Sequence, residues 1–163
     1  MAQIQTPAWL TRRAVVHSVR TAVAGTLSLL VARAFRLPES YWAAITTLVV
    51  MQSTLGAAWT ISRQRFAGTA LGAFMGALLA TYFGMSVAAF SAAVFLAGLI
   101  CAGLHLDRVA YRYSGITLAI VMLVGRARPA PVVAAHRFIE VSVGIAVGLL
   151  LTIAWPEPEP STT

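Results

Sequence analysis

The stretch of residues 38–56, PESYWAAITTLVVMQSTLG, decides how the whole chain is interpreted. It opens with a proline and an acid, continues as an aromatic pair and an apolar run, and ends in a polar segment from Gln52 to Gly56. From Tyr41 to Leu55 a helix would extend roughly 22 Å, whereas the hydrocarbon core of a bilayer is about 30 Å thick. The stretch alone fits a buried strand, a short core helix or an interrupted membrane span.

The composition of the chain favours the membrane. Of the 163 residues, 59% are hydrophobic and only 10% are charged, against about 25% charged in soluble proteins. A soluble fold of this length would have too few charges to cover its surface. All 12 basic residues are arginines, and most of them lie in pairs between apolar runs. The net charge of +7 therefore does not predict nucleic-acid binding.

Six segments of low charge alternate with short polar connections. Because a spanning segment must satisfy its backbone hydrogen bonds internally, we predict an all-α integral membrane protein with six transmembrane helices. The predicted spans are 14–35, 41–61, 66–83, 86–104, 109–125 and 138–155. Arginines before the first span also resemble a signal sequence, but the run is too long and favours an uncleaved span. We expect residues 1–12 to form a cytoplasmic tail and residues 156–163 a disordered, acidic, proline-rich tail.

Two pairs of sequence windows indicate an internal repeat. YWAAITTLVVM (41–51) aligns with YSGITLAIVM (113–122), and RFAGTALGAFMG (65–76) aligns with RFIEVSVGIAVG (137–148), at offsets of 71 and 72. Each unit would hold three spans, and this odd number would insert the second unit upside down. We therefore predict a 3+3 inverted repeat, a transporter architecture in which interrupted segments mark the binding site. Here the interruption is the polar break from Gln52 to Gly56.

Glycines recur every four residues on the third and sixth predicted spans. They are Gly68, Gly72 and Gly76, then Gly144 and Gly148. Smooth faces let membrane helices approach closely, which predicts packing between the halves or between protomers rather than a pore lining.

Charged side chains inside a predicted span are candidates for function. Arg20 fits either a functional role or a side chain that reaches back to the interface. Arg65 and Arg137 begin helices at equivalent positions of the repeat, where a positive charge opposes the helix dipole and calls for an anion or a carboxylate. Glu140 follows Arg137 by three residues, so it either pairs with that arginine or carries a proton.

The remaining reactive residues predict neither an enzyme nor a metal site. The three histidines share no metal-ligand spacing, and Cys101 lies in an apolar run. The sequence shows no catalytic constellation and no phosphate-binding loop. We expect no metal and no cofactor.

The quoted stretch and the block after it resemble the fusaric acid resistance protein and aromatic acid exporter family. The resemblance covers about residues 13–155 and is carried by Tyr41-Trp42-Ala43, the break Gln52 to Gly56, Arg65 with Gly68-Thr69 and Gly72, and Arg137 with Glu140. It implies a domain of the bacterial inner membrane that exports organic or aromatic acid anions, driven by protons. The family also looks distantly related to plant malate channels, which are homodimers. Some members work with a periplasmic adaptor, which is a candidate partner here.

We therefore predict a homodimeric, proton-coupled exporter in the lipid bilayer. Its substrate-binding residues are Arg20, Arg65 and Arg137 for a carboxylate, Tyr41 and Trp42 for a ring, and Gln52 at the break; Glu140 is the proton-linked acid. The alternatives are a passive organic-anion channel and a non-transporting subunit of a larger complex. Both termini are predicted to be cytoplasmic, although the arginines are almost balanced between the two sides.

Overall fold

The computed structural model describes residues 12–52, 54–124 and 128–156, and throughout those ranges the regular structure is helical. The helices are α1 (Arg12–Ala34), α2 (Tyr41–Val50), α3 (Leu55–Phe83), α4 (Val87–Gly103), α5 (Arg108–Ala119) and α6 (Ala130–Ala154), and a π-helical turn (Ile120–Val124) extends α5. The predicted N-terminal tail before Arg12 and the C-terminal tail after Pro156 lie outside the described residues.

Three of these helices are long and apolar enough to cross a membrane. They are Ala14–Ala34 in α1 with 21 residues, Leu55–Phe83 with 29 and Ala130–Ala154 with 25. Two more helices, α2 and α4, are apolar but shorter. The predicted all-helical membrane architecture is confirmed at this level.

The connection between α2 and α3 differs from the prediction. Residues 55–61, assigned above to an interrupted second span, belong to α3. The backbone at Met51 is extended, so α2 ends there. The Thr54 hydroxyl accepts a hydrogen bond from the Ala57 amide at 3.3 Å and caps the N-terminus of α3. The polar break is therefore the turn between two helices, and Gly56 lies inside α3; Ser53 lies outside the described residues.

Glycine contacts bring α3 against α5 and α6 against α2. A Cβ atom on Gly68 would lie 2.2 Å from the Ala110 carbonyl oxygen, and one on Gly144 would lie 2.4 Å from the Ala43 carbonyl oxygen. Further along α3, a Cβ atom on Gly72 would meet Ser114 and Thr117 of α5, and one on Gly76 would meet Val121 just after α5. Further along α6, a Cβ atom on Gly148 would meet Val50 of α2. The backbone contacts at Gly68, Gly72 and Gly144 leave no room for a Cβ atom, whereas those at Gly76 and Gly148 are tight contacts with valine side chains. The order of the contacts shows that α3 runs parallel to α5 and that α6 runs parallel to α2.

The two long helices α3 and α6 are antiparallel and form the centre of the bundle. The rings of Phe66 and Phe138 lie with their centroids 5.0 Å apart, and Ala58 packs in one cluster with Ile145. The short helices α2 and α5 both start near the middle of this pair, since Arg65 of α3 contacts Thr46 in α2 and Tyr113 in α5. Because α2 runs parallel to α6 and α5 runs parallel to α3, the two short helices extend from there in opposite directions.

The glycine faces are consequently buried inside the chain. The hypothesis that they offer a surface for a second copy is wrong, because backbone and side-chain atoms of α5 and α2 already occupy them.

Candidate functional site

A cavity of about 230 Å³ lies where α6 begins, beside the connection between α1 and α2. Glu39, in the connection between α1 and α2, lines one side of the cavity. The other charged and titratable lining residues lie just before α6 or on its first three turns: Arg128, His136, Arg137 and Glu140. Pro131 in the first turn of α6 fixes the direction in which this helix leaves the loop. Arg137 lies about 10 Å along the helix from Ala130, so its charge is well inside the bundle.

The charged and aromatic groups at this cavity form a closed ring of contacts. The Arg137 guanidinium carbon lies 3.7 Å from the centre of the Trp42 ring, and the Trp42 indole N–H donates to the Glu39 carboxylate at 3.0 Å. The Glu39 backbone N–H in turn donates to Oε1 of Glu140 at 2.9 Å. The ring closes where Nη1 of Arg137 lies 3.6 Å from Oε2 of Glu140.

Arg137 and Glu140 retain unused hydrogen-bonding capacity. Their side chains are 2% and 0% exposed, and 3.6 Å is an ion pair but too long for a hydrogen bond. Among the described residues, Nε and Nη1 of Arg137 and Oε2 of Glu140 have no hydrogen-bond partner. An arginine donates in a fork that matches a carboxylate, so a ligand carboxylate in the cavity would supply the missing acceptors.

Arg65 lies in different surroundings. Its Nε and Nη2 both donate to the Thr46 hydroxyl, at 3.2 and 3.0 Å. Its guanidinium carbon lies 4.7 Å from the centre of the Tyr113 ring. Arg65 is 6% exposed and does not line the cavity at Arg137. The predicted carboxylate ligand is therefore replaced here by a hydroxyl and an aromatic ring of the chain itself.

Three other predicted site residues lie away from this cavity. Arg20 is fully buried and donates to the carbonyl oxygens of Gln52 and Trp155, so it ties α1 to the ends of α2 and α6. Gln52 donates its side-chain amide to the Val49 carbonyl oxygen at 3.1 Å. Tyr41 is 51% exposed and touches the neighbouring Trp42 ring, with the centroids 5.6 Å apart. The structure thus joins Trp42, Arg137 and Glu140 but separates them from Arg20 and Gln52.

Sequence reasoning missed several residues that complete these contacts. Glu39 had a local signal, because it lies two residues before the Tyr-Trp pair. Arg128 and His136 lie near the start of α6. Thr46 and Tyr113 gave no such signal, because their role depends on long-range contacts with Arg65. In the part of the chain that the structure describes, no group of three or more histidine, cysteine, aspartate or glutamate residues could hold a metal ion.

The fold and this cavity define a helical membrane protein with a buried arginine–carboxylate pair, and sequence comparison places it in a family. The sequence model described as fusaric acid resistance protein-like matches residues 19–151. The chain therefore belongs to the fusaric acid resistance protein-like family, as predicted from its motifs.

One curated relative is the inner membrane protein YeeA of Escherichia coli strain K12. It is 31% identical over 147 residues, which cover 88% of this chain and 41% of YeeA. The chain thus spans less than half the length of this relative. No solved structure matches the chain.

Proposed function

We propose that this chain is a transport domain of the bacterial inner membrane that exports organic or aromatic acid anions with proton linkage. The observation that carries the proposal is the buried Arg137–Glu140 pair, whose unused donors and acceptor lie at a cavity of about 230 Å³. An intramembrane charge costs about 2.5–3.5 kcal/mol at the bilayer centre on insertion scales. Glu140 compensates that charge in the empty site, and a substrate carboxylate would do so in the loaded site.

Proton linkage follows from the competition between two carboxylates for one guanidinium. When Glu140 is ionised, it neutralises Arg137 and disfavours a second anion. When Glu140 takes up a proton, Arg137 becomes available to the substrate carboxylate. Proton and anion therefore bind together, and the other charges at the cavity, Arg128, Glu39 and His136, set the pH at which this happens.

This sign of linkage has a consequence for the direction of transport. A carrier that moves one proton together with each organic anion exports the anion only under one condition. The outward concentration ratio of the anion must exceed the inward concentration ratio of protons. Such a carrier would release an organic acid that accumulates in the cytoplasm. An exchange of one proton for one anion would need the opposite linkage.

The proposal includes six membrane crossings arranged as a 3+3 inverted repeat. It is supported by contacts that match at the offsets of the sequence repeat. Gly72 packs on Ser114 and Thr117, while Gly144 packs on Ala43 and Thr46. Likewise Arg65 lies over Tyr113, while Arg137 lies over Trp42. In this arrangement both termini lie on one side, which we propose to be the cytoplasm.

A homodimer is also part of the proposal, with an interface other than the buried glycines. An open groove between α3 and α6 is lined by small residues, among them Ala70, Ala73 and Ala77 on α3 and Ala134 on α6. Small residues support close packing of membrane helices. The groove shares no lining residue with the cavity at Arg137, so a second copy that packs in it does not need to enter that cavity.

Flux of radiolabelled benzoate in proteoliposomes tests this function. We expect uptake to follow an imposed pH gradient, and Glu140→Gln to abolish this dependence, because a permanently neutral side chain no longer exchanges a proton. Arg36→Gln is the matched control, since Arg36 is exposed and does not line the cavity. Flux that ignores both the gradient and Glu140→Gln would contradict the mechanism, and voltage-driven current without a pH gradient would show a passive channel instead.

A further inference from the structure

A second cavity lies at the other end of the α3–α6 pair. Its volume is about 590 Å³, within the range of about 300–1,000 Å³ of small-molecule sites. It is bounded by the first turns of α3, the second half of α6 and the connection between α4 and α5. The first cavity is lined instead by the first turns of α6. Because α3 and α6 are antiparallel, the two cavities lie toward opposite ends of this helix pair.

The walls of this second cavity suit a flat apolar body. Trp59 and Phe66 lie two turns apart on the same face of α3, and both line the cavity together with Ile145 and Leu149 of α6. The two aromatic side chains are 55% and 45% exposed, so their rings are accessible from the cavity. Aromatic faces stack favourably on other rings.

The rim of the cavity carries hydrogen-bond donors for an anion. The Asp107 carboxylate already accepts from the Gln64 side-chain amide at 2.6 Å. Arg63 lines the same rim, and in the part of the chain that is described it has neither a hydrogen bond nor an ion pair. Ser62 also lines the cavity; it is 3% exposed, and its hydroxyl finds no partner among the described residues. A guanidinium and a buried hydroxyl together favour a carboxylate.

We propose that this cavity is a second binding site, on the opposite side of the membrane from Arg137, for a flat aromatic monocarboxylate. The ring packs on Trp59 and Phe66, and the carboxylate pairs with Arg63 and approaches Ser62. The two rings on one wall favour a free aromatic acid over the acyl chain of a lipid. The role of the site as a second port for the substrate rests on the proposed function, whereas the binding itself does not.

Equilibrium dialysis of radiolabelled benzoate against the detergent-purified full chain counts the sites. We expect two benzoates per wild-type chain, one for Arg63→Gln, one for Arg137→Gln, and none for the double variant. Trp59→Leu weakens the second site at least severalfold through its ring contact without touching the charge. Arg112→Gln is the matched control and keeps both sites, because Arg112 is an exposed arginine near the same end that does not line the cavity.

Two results would overturn the inference. The first is that folded Arg63→Gln and Trp59→Leu proteins, monodisperse on gel filtration, both keep two sites of unchanged affinity. The second is that decanoate displaces benzoate from the Arg137→Gln protein well below the concentration at which benzoate itself binds, which would identify a lipid groove. The proposed function fails on a different result, a flux that ignores Glu140→Gln, and this leaves the number of sites unchanged.

Discussion

Arg65 and Arg137 occupy equivalent positions in the two sequence windows, but the chain surrounds them differently. Arg65 donates twice to Thr46 and lies over Tyr113. Arg137 lies over Trp42, and its Nε and Nη1 have no hydrogen-bond partner among the described residues. Both side chains are buried. The protein itself supplies hydrogen-bond partners to Arg65, whereas Arg137 keeps two donors without a partner among the described residues.

The difference arises three residues further along each helix. Glu140 follows Arg137 and brings a carboxylate to within 3.6 Å of the guanidinium. The corresponding residue after Arg65 is Gly68, where the backbone of α5 approaches so closely that a Cβ atom has no room. At Gly68 the helices are therefore in direct backbone contact, whereas the equivalent place beside Arg137 holds an acid. We infer that Arg65 itself stabilises the bundle, while Arg137 and Glu140 carry the proposed proton-linked chemistry.

The largest loss of stability is expected when a side chain at Gly68 forces α3 away from α5. Gly68→Ala places a Cβ atom 2.2 Å from the Ala110 carbonyl oxygen, so α3 and α5 must separate. We expect a loss of about 3 kcal/mol or more in stability, seen as aggregated protein in fluorescence-detected gel filtration. Gly103→Ala is the control, since a Cβ atom there meets nothing within 4 Å. Equal stability of the two variants would show that the contact at Gly68 is not tight.

The next prediction distinguishes the role of Arg137 in transport from the role of Arg65 in stability. Arg137→Gln should lower benzoate flux at least about tenfold, because the substrate carboxylate loses its partner. Arg65→Gln should lower thermal stability by about 2 kcal/mol, because Thr46 and Tyr113 lose a charged donor, while flux per folded molecule stays within a factor of about three. Flux and melting temperature, measured on both variants, test the division. The reversed pattern, with flux lost only in Arg65→Gln, would contradict it.

How far the sequence predicts these features depends on the range of the contacts. Helix content, the two arginines, Glu140 and the glycine faces follow from local periodicity and spacing. The polar break from Gln52 to Gly56 was also visible in the sequence, but the assignment of residues 55–61 to the second span was wrong, because their uncharged, mostly apolar sequence fits either helix; the capping Thr54 marks them as the start of α3. The task of Arg20 depends on the carbonyl oxygen of Trp155, 135 residues away in the chain.

A smaller effect is expected from the two aromatic supports. A cation over a ring contributes about 0.5–2 kcal/mol, depending on its burial. Trp42→Leu should weaken benzoate affinity severalfold, because Arg137 loses the ring that orients it and Glu39 loses a donor. Tyr113→Leu should lower the stability of the protein and leave its affinity for benzoate unchanged. Titration of benzoate against both purified variants tests this, and equal losses of affinity would mean that both regions bind substrate.

An effect of similar or smaller size concerns one hydroxyl on each short helix. Thr46→Val removes the acceptor of both Arg65 hydrogen bonds and should cost about 1–2 kcal/mol. Thr117→Val is the matched control, because Thr117 aligns with Thr46 in the two sequence windows but donates only to the Tyr113 carbonyl oxygen of its own helix, at 3.0 Å. Thermal unfolding of the two variants should therefore differ. Identical melting temperatures would show that the Arg65 region does not depend on Thr46.

Proton counting during ligand binding tests the central claim most directly. Benzoate is added to the purified protein in weak buffer, at a pH where Glu140 is ionised, and the change in pH is recorded. We predict that the site at Arg137 takes up about one proton for each benzoate bound, and that Glu140→Gln abolishes this uptake while benzoate still binds. Binding without proton uptake, or with proton release, would contradict the account.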